Sequence, residues 1–519
     1  MTKSVKAVVI ASAVLLVLGG ALLLLLLTKP KPDAGSDSGQ SNGITSGGSV
    51  NAYIVDKKAD LVTSVKVENS DGSFEFTRKK RVVSETNESG EVTSKDEYYW
   101  TSGDLKGVPQ NDTLVRNFIA NLSSLPENST VEEKPGDLEK YGLSEPQSTA
   151  VLEFEDGTSI KMLVGIQNPA DNKSVYFKTD GSEAVKLVNY YAVSGTLSDV
   201  KQFAELTMTE SYDAEGSNNL QSLKVTRSDL ETPVEIRYMS ELEELADDEE
   251  TVVSTFNTHR FVKPTTAEVD VTRGKDVCYK IYGLTMSACE YLEQTDENMK
   301  KCGLDSPQTV VTFKFSGKEH ELLIGSAIRE EISNAVTSSG SPISAVKGYY
   351  AVMKGVPGIY SLDKDSAPWC TFNVSDLISR RPLSPYIYAS ESVEVTVPGG
   401  SFKFDIDGEK KEFFCGGKQL LSDDFRSFYQ FLISSVGEEM YTGSVSGEPY
   451  ASVTFTYSSD YYDVYGTHSD TISYYESDDR KCIVVLNGEP IFKVRKIYAD
   501  RLVENVDAVI NGGTVNLDW

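Results

Sequence analysis

Three histidines, six cysteines and a surplus of carboxylates are the side chains of this sequence that could do chemistry. Metal binding by histidine needs further His, Cys or acidic ligands at workable spacing. His259 sits in an aromatic, strand-like stretch, His320 in an alternating segment that reads as half a hairpin, and His468 in a polar Tyr/Ser/Asp loop. None has another His or a Cys at ligand spacing, so each reads as a satisfied or surface histidine. Cys278, Cys289, Cys302, Cys370, Cys415 and Cys482 form no Cys-x-x-Cys pair, which removes zinc ribbons and thioredoxin-type exchange. Their even number permits disulfides in an exported chain, but the spacing identifies no partners. Cys302 and Cys482 fall in structured segments and are expected to be buried thiols. A Gly-x-Ser-x-Gly elbow, a Walker loop and a dinucleotide fingerprint are all absent from the sequence. Carboxylates are so numerous that no pair of them can be singled out for hydrolysis. The loop Asp460-Tyr-Tyr-Asp463 lacks EF-hand spacing. The expectation is a chain with no catalytic residue, no metal and no cofactor, hence not an enzyme.

Tyrosine is the unusual residue, with 27 copies and doublets at Tyr190-Tyr191, Tyr349-Tyr350, Tyr461-Tyr462 and Tyr474-Tyr475. Aromatic residues are favoured in strands, which accounts for most of them. Exposed tyrosine also favours protein or glycan contact. Tyr461 and Tyr462 are therefore the candidate contacts for an envelope ligand of unknown identity.

The elements that would position such residues recur along the chain. Tyr141-Gly-Leu-Ser-Glu-Pro-Gln147 returns as Cys302-Gly-Leu-Asp-Ser-Pro-Gln308, and both are followed by two alternating segments around a Gly-containing turn, ending at Gly165 and Gly325. Physically the motif is a helix stop. Gly142 and Gly303 can take the left-handed conformation that ends a helical turn, and Leu143 and Leu304 can fold back onto that turn. Pro146 and Pro307 then force extended chain. A Gly/Pro ligand loop is the alternative reading of the same residues. Upstream, Val65-Lys-Val, Phe74-Glu-Phe-Thr and Tyr98-Tyr-Trp100 read as strands. A helix capped at Asn111 or Asp112 follows, with Leu114, Val115, Phe118, Ile119 and Leu122 on one face. The second copy places Leu223-Lys-Val, Val234-Glu-Ile-Arg and His259-Arg-Phe-Val-Lys there, then a helix around 275–291. A third, degenerate copy runs from Val393 through Phe402-Lys-Phe, Glu412-Phe-Phe414 and a helix capped by Ser422, and keeps only Gly447-Glu-Pro449 of the motif.

The predicted class is α+β: one N-terminal transmembrane helix, then tandem repeated units of mostly antiparallel strands with short helices. From Ala7 to Thr28 no residue is charged and Leu22 to Leu27 is unbroken leucine. At ~1.5 Å per residue this length crosses a ~30 Å hydrocarbon core. The apolar run is too long for a cleaved signal and lacks a lipoprotein cysteine, so an uncleaved signal anchor is expected. Lys3 and Lys6 before the span and Lys29 and Lys31 after it give little charge bias. The tiny leading tail and the acidic body favour a cytoplasmic N-terminus with an extracytoplasmic body at the cell membrane. The expected divisions are 1–28 tail and span, 29–51 a flexible Gly/Ser/Pro linker, 52–205 and 206–384 two repeat units, and 385–519 the degenerate third. A net charge of −28 repels phosphate backbones and excludes nucleic acid as a partner. The acidic run 241–250 reads as a solvated face.

The Gly-Leu-x-x-Pro segment, the aromatic strand before the helix, and the Leu-Val-Gly or Leu-Ile-Gly strand end resemble the domain-of-unknown-function family DUF4340, over residues 52–384 in two copies and, more weakly, 385–519. The resemblance implies a bacterial membrane-anchored protein with one N-terminal span, often encoded beside ABC-type transporters related to gliding-motility export systems. It implies no activity and no functional residues. The expected function is a non-enzymatic accessory or scaffold subunit of an ABC-type transport complex. The alternative is an envelope ligand- or glycan-binding module that uses its tyrosine-rich loops.

Overall fold

The computed structural model describes residues 52–86, 92–211, 220–239, 258–270, 272–336, 342–477 and 480–519. The expected span (1–28), the linker (29–51) and the acidic run (241–250) lie outside the described residues. Among the described residues no helix is long and apolar enough to cross a membrane.

Strict alternation of apolar and polar residues builds the sheets. In Ser148–Phe154, Thr309–Phe315 and Ala451–Tyr457 every second side chain is buried. The inward sets are Ser148, Ala150, Leu152 and Phe154, then Thr309, Val311, Phe313 and Phe315, then Ala451, Val453, Phe455 and Tyr457. A period of two puts one face of each strand into a core.

These three strands are the centres of three sheets. The first runs edge to edge as Val92–Thr101, Gly72–Thr86, Val62–Asn69, Ser148–Phe154, Ser159–Gln167, Ser174–Thr179, Val185–Asn189 and Ser129–Glu132. The second runs Ala267–Glu268, His259–Lys263, Val234–Tyr238, Leu220–Arg227, Thr309–Phe315, Lys318–Val336, Pro342–Met353, Ile359–Asp363 and Ala288–Tyr291. The third runs Lys418–Gln419, Glu412–Cys415, Gly400–Asp407, Ser390–Val397, Ala451–Tyr457, Ser469–Glu476, Lys481–Leu486, Glu489–Arg495 and Glu439–Met440. The connectivity is the same in all three apart from the short extra edge strand of the second and third. The chain enters at the sheet centre, steps outward for two strands, crosses through a helix to the far edge, and returns to pair beside its first strand. Every named pairing is antiparallel, for example Val65 opposite Leu152, Val225 opposite Val311 and Val393 opposite Phe455.

The crossing helices are Asp112–Ser123, Lys275–Tyr279 and Ser422–Leu432. The first is capped as expected, with the Asn111 side chain accepting the Leu114 N–H at 3.0 Å. Its buried face sets Phe118 against Phe76 and Phe203. The second is shorter than the 275–291 stretch anticipated. Gly283 at φ 61° follows it in a turn, and Ala288–Tyr291 leaves as an edge strand. In the third, Ser422 is the first helical residue and makes no cap bond; Leu421 occupies the cap position. A longer C-terminal helix, Lys496–Asn511, packs beside it, and the Tyr498 hydroxyl donates to the carbonyls of Phe431 (3.2 Å) and Leu432 (2.9 Å) at the helix end. Those are carbonyls a helix terminus leaves without partners.

Ala52–Trp519 forms one unit, and buried side chains of all three sheets join in one cluster. Segment 206–211 stitches the first sheet to the second. Met208 N–H donates to Leu284 and Met286 N–H to Leu206, at 2.7 and 2.8 Å.

Candidate functional site

The residues of the repeated motif come together as a backbone clamp. Gly142 has φ 64° and Gly303 φ 67°, both in the left-handed region. The N–H groups after them return to the preceding turn, Leu143 to Leu138 at 3.0 Å and Leu304 to Met299 at 2.8 Å. Gly165 and Gly325 lie directly beneath these turns: a Cβ at either would collide with the carbonyl oxygen of Tyr141 or Cys302. The next residue of the second copy completes the clamp, with Ser326 N–H donating to Cys302 at 2.8 Å.

Each clamp covers the outer face of its sheet with a small apolar cluster. Tyr141, Leu143 and Val185 pack with Leu138, Leu163 and Tyr176 in the first. Cys302, Leu304 and Ile359 pack with Met299, Leu323 and Tyr350 in the second, joined by Val352 and Tyr291. Pro146 and Pro307 stand between each turn and the strand that follows, Ser148–Phe154 or Thr309–Phe315. Gly447 of the third copy has φ 85° with open space around it, so no such clamp forms there.

Tyr461 and Tyr462 are half-buried and pack against the core, and the Tyr462 ring lies 3.9 Å from that of His468. His259 is buried, with its ring 4.6 Å from Tyr238, and burial pulls its imidazole down to about 4. His320 stacks on Phe313 at 5.1 Å. The six cysteines are free thiols. Burial pushes those of Cys278 and Cys482 up to about 12. Thiols held that far above neutral pH are poor nucleophiles. Among the described residues no group of three or more His, Cys, Asp or Glu side chains is placed to hold a metal ion.

A depression of about 490 Å³ is lined by Lys106, Leu292, Glu293, Gln294 and the turn 355–358. One lining amide is already used: Gln294 Nε2 donates to the carbonyls of Val356 and Gly358, both at 2.8 Å.

Sequence reasoning missed a buried polar node between the second and third sheets. Arg260 sends one prong to Asp470 Oδ2 at 2.6 Å and the other to Oδ1, with side chains 4 % and 0 % exposed. Asp470 also accepts from the Tyr457 hydroxyl at 2.6 Å and from Asn487 Nδ2 at 2.7 Å. Burial alone would raise the Asp470 carboxyl, but the Arg260 bond and charge more than offset it and hold it below its usual range. Arg237 makes a second crossing, donating to the carbonyl of Asp463. The available signal was an arginine inside an apolar strand, His259-Arg-Phe-Val. A lone charge there calls for a distant partner. These bonds fasten the second sheet to the third.

Residues 100–263 match the family described as Domain of unknown function (DUF4340), a span inside the region whose motifs suggested the resemblance. No curated protein and no solved structure matches the chain.

Proposed function

We propose, for a chain carrying a DUF4340 segment, a role as a membrane-tethered extracytoplasmic scaffold that docks on the subunits of a transport complex. The observation that carries this reading is a pair of hairpin arms that outrun their sheets. In the first sheet Val62–Asn69 pairs with its neighbour only as far as Thr77, while Arg78 to Thr86 pair with Val92 to Trp100 alone. In the second, Ala327 to Val336 pair with Pro342 to Tyr349 beyond the reach of Thr309–Phe315. At ~3.3 Å per residue each arm extends roughly 30 Å. The arms leave Val82, Val92 and Tyr98, and Ile332 and Ile343, exposed. Two-stranded ribbons are marginal in water unless something packs on them. Exposed apolar residues on such ribbons favour a protein partner. The arms suit docking better than Tyr461 and Tyr462 suit ligand capture, because those two rings are committed to the core.

The test is co-purification of the full-length chain in mild detergent. Transporter subunits should accompany the parent. They should be lost when 82–96 and 330–345 are each replaced by an Asn-Gly turn, which joins the register neighbours Arg81/Glu97 and Arg329/Val346. Recovery of the intact parent alone overturns the proposal.

A further inference from the structure

Two carboxyl groups and one guanidinium are withdrawn from water at the joint between the second and third sheets. Both prongs of Arg260 are taken by Asp470. Glu268 is the register partner of Arg260 across the strand pair and is itself buried. Its carboxyl nevertheless receives only neutral donors: the Ser384 hydroxyl at 2.6 Å and the Ser384 N–H. Its backbone belongs to the same joint, since its carbonyl accepts the Ser379 N–H at 2.8 Å. One guanidinium neutralises one carboxylate. A second buried carboxylate held by neutral donors carries a desolvation cost that its protonated form does not.

We propose that Glu268 is a proton-operated latch: the joint is tight while Glu268 holds its proton and loosens as the proton leaves.

The surroundings agree. Burial pushes the Glu268 carboxyl up to about 7, against the opposing pull of Ser384 and of Arg260, while Asp470 adds to the rise. The other titratable groups that face it are Tyr429 of helix Ser422–Leu432, Tyr465 of the turn 462–465, and Tyr457 beside Asp470. Burial raises all three hydroxyls above their ordinary value, so they bring no charge near neutral pH. The sign follows from linkage. Between the ordinary glutamate value and about 7 the folded chain keeps a proton that the unfolded chain has released, so stability at the joint is greatest at the low end and falls as pH rises through 7. His259, buried and neutral down to about 4, works in the opposite sense, but only below its ordinary 6.5. The two effects therefore separate above pH ~6.5.

The latch is independent of the docking role and can fail without affecting it. Its test is hydrogen exchange on the full-length chain at pH 6.5 and 8.5, corrected for intrinsic base catalysis. The readout is peptides containing the Asp270, Ser379 and Ser458 amides, which donate to Leu377, Glu268 and Ala389 at 2.7 to 2.9 Å. In the parent, protection there should fall by about four-fold on going to pH 8.5, and in Glu268→Gln it should not change with pH. Ser384→Ala, which removes a donor to the ionised form, should move the loosening to higher pH. Unchanged protection in the parent, an identical profile in Glu268→Gln, or an unmoved transition in Ser384→Ala overturns the latch.

Discussion

Arg260 and Asp470 illustrate how much one buried pair can decide. Removing one partner leaves the other charged and out of water, which costs about 3–5 kcal/mol, whereas replacing both with apolar side chains is often neutral. Arg260→Met alone should therefore lower stability by about that amount in urea unfolding, and Arg260→Met with Asp470→Leu should recover most of the loss. A double-variant loss equal to the sum of the Arg260→Met and Asp470→Leu losses would show that the pair contributes nothing of its own. The clamp glycines make a second residue-scale case. Gly325→Ala forces a methyl group onto the Cys302 carbonyl, and overpacking of this kind costs about 1–3 kcal/mol. The same substitution at Gly355, with open space around it, meets no atom, although its φ of 86° still disfavours a side chain. The thiols give a third. All six should react with a disulfide reagent once the chain is unfolded, while in the native state the half-buried Cys370 and Cys415 should lead.

At the scale of the element, the crossing helix of the first sheet depends on its cap. Asn111→Ala removes the acceptor of the Leu114 N–H and should cost about 1 kcal/mol, read as a shift in the denaturant midpoint. Local signals of this kind are what sequence discloses well. The alternation of Val151-Leu-Glu-Phe and Val310-Val-Thr-Phe, the Asn111 cap and the Gly-Leu stop each act within a few residues, and all of them appear in the structure as read. Signals that depend on distant chain are hidden. The helix that begins at Lys275 has an apolar run long enough to continue. It stops because the segment near Ala288 is needed at the sheet edge beside Ile359–Asp363. The Arg260–Asp470 pair joins positions 210 residues apart, and nothing near either residue announces the other. The positions of Tyr461 and Tyr462 could not be read either, because a Tyr doublet looks the same whether it faces solvent or packs against a core.

Across the whole molecule the buried side chains of three sheets form one cluster, and hydrogen bonds cross at both junctions. Units joined this way should not melt independently. Calorimetry of the body should give one cooperative transition; three separable ones would show that the sheets merely sit side by side. A fragment ending at 384 uncovers Arg260 and Glu268 along with the apolar side of the second sheet, and should bind a hydrophobic dye that the intact chain excludes.

The connectivity also governs how the body comes to fold. The first strand of each sheet lies at its centre, and its partner on one side is the fifth strand of the first sheet and the sixth of the other two, which emerges from the ribosome only after the outward strands, a helix and a far-edge strand. Until then the growing polypeptide presents a half-built sheet with a bare central edge, the kind of surface that recruits neighbouring chains. Pairings so distant in sequence are slow to close. The nascent protein passes through this exposed stage three times, so a chaperone that shields open β-edges during synthesis or export would find its substrate here.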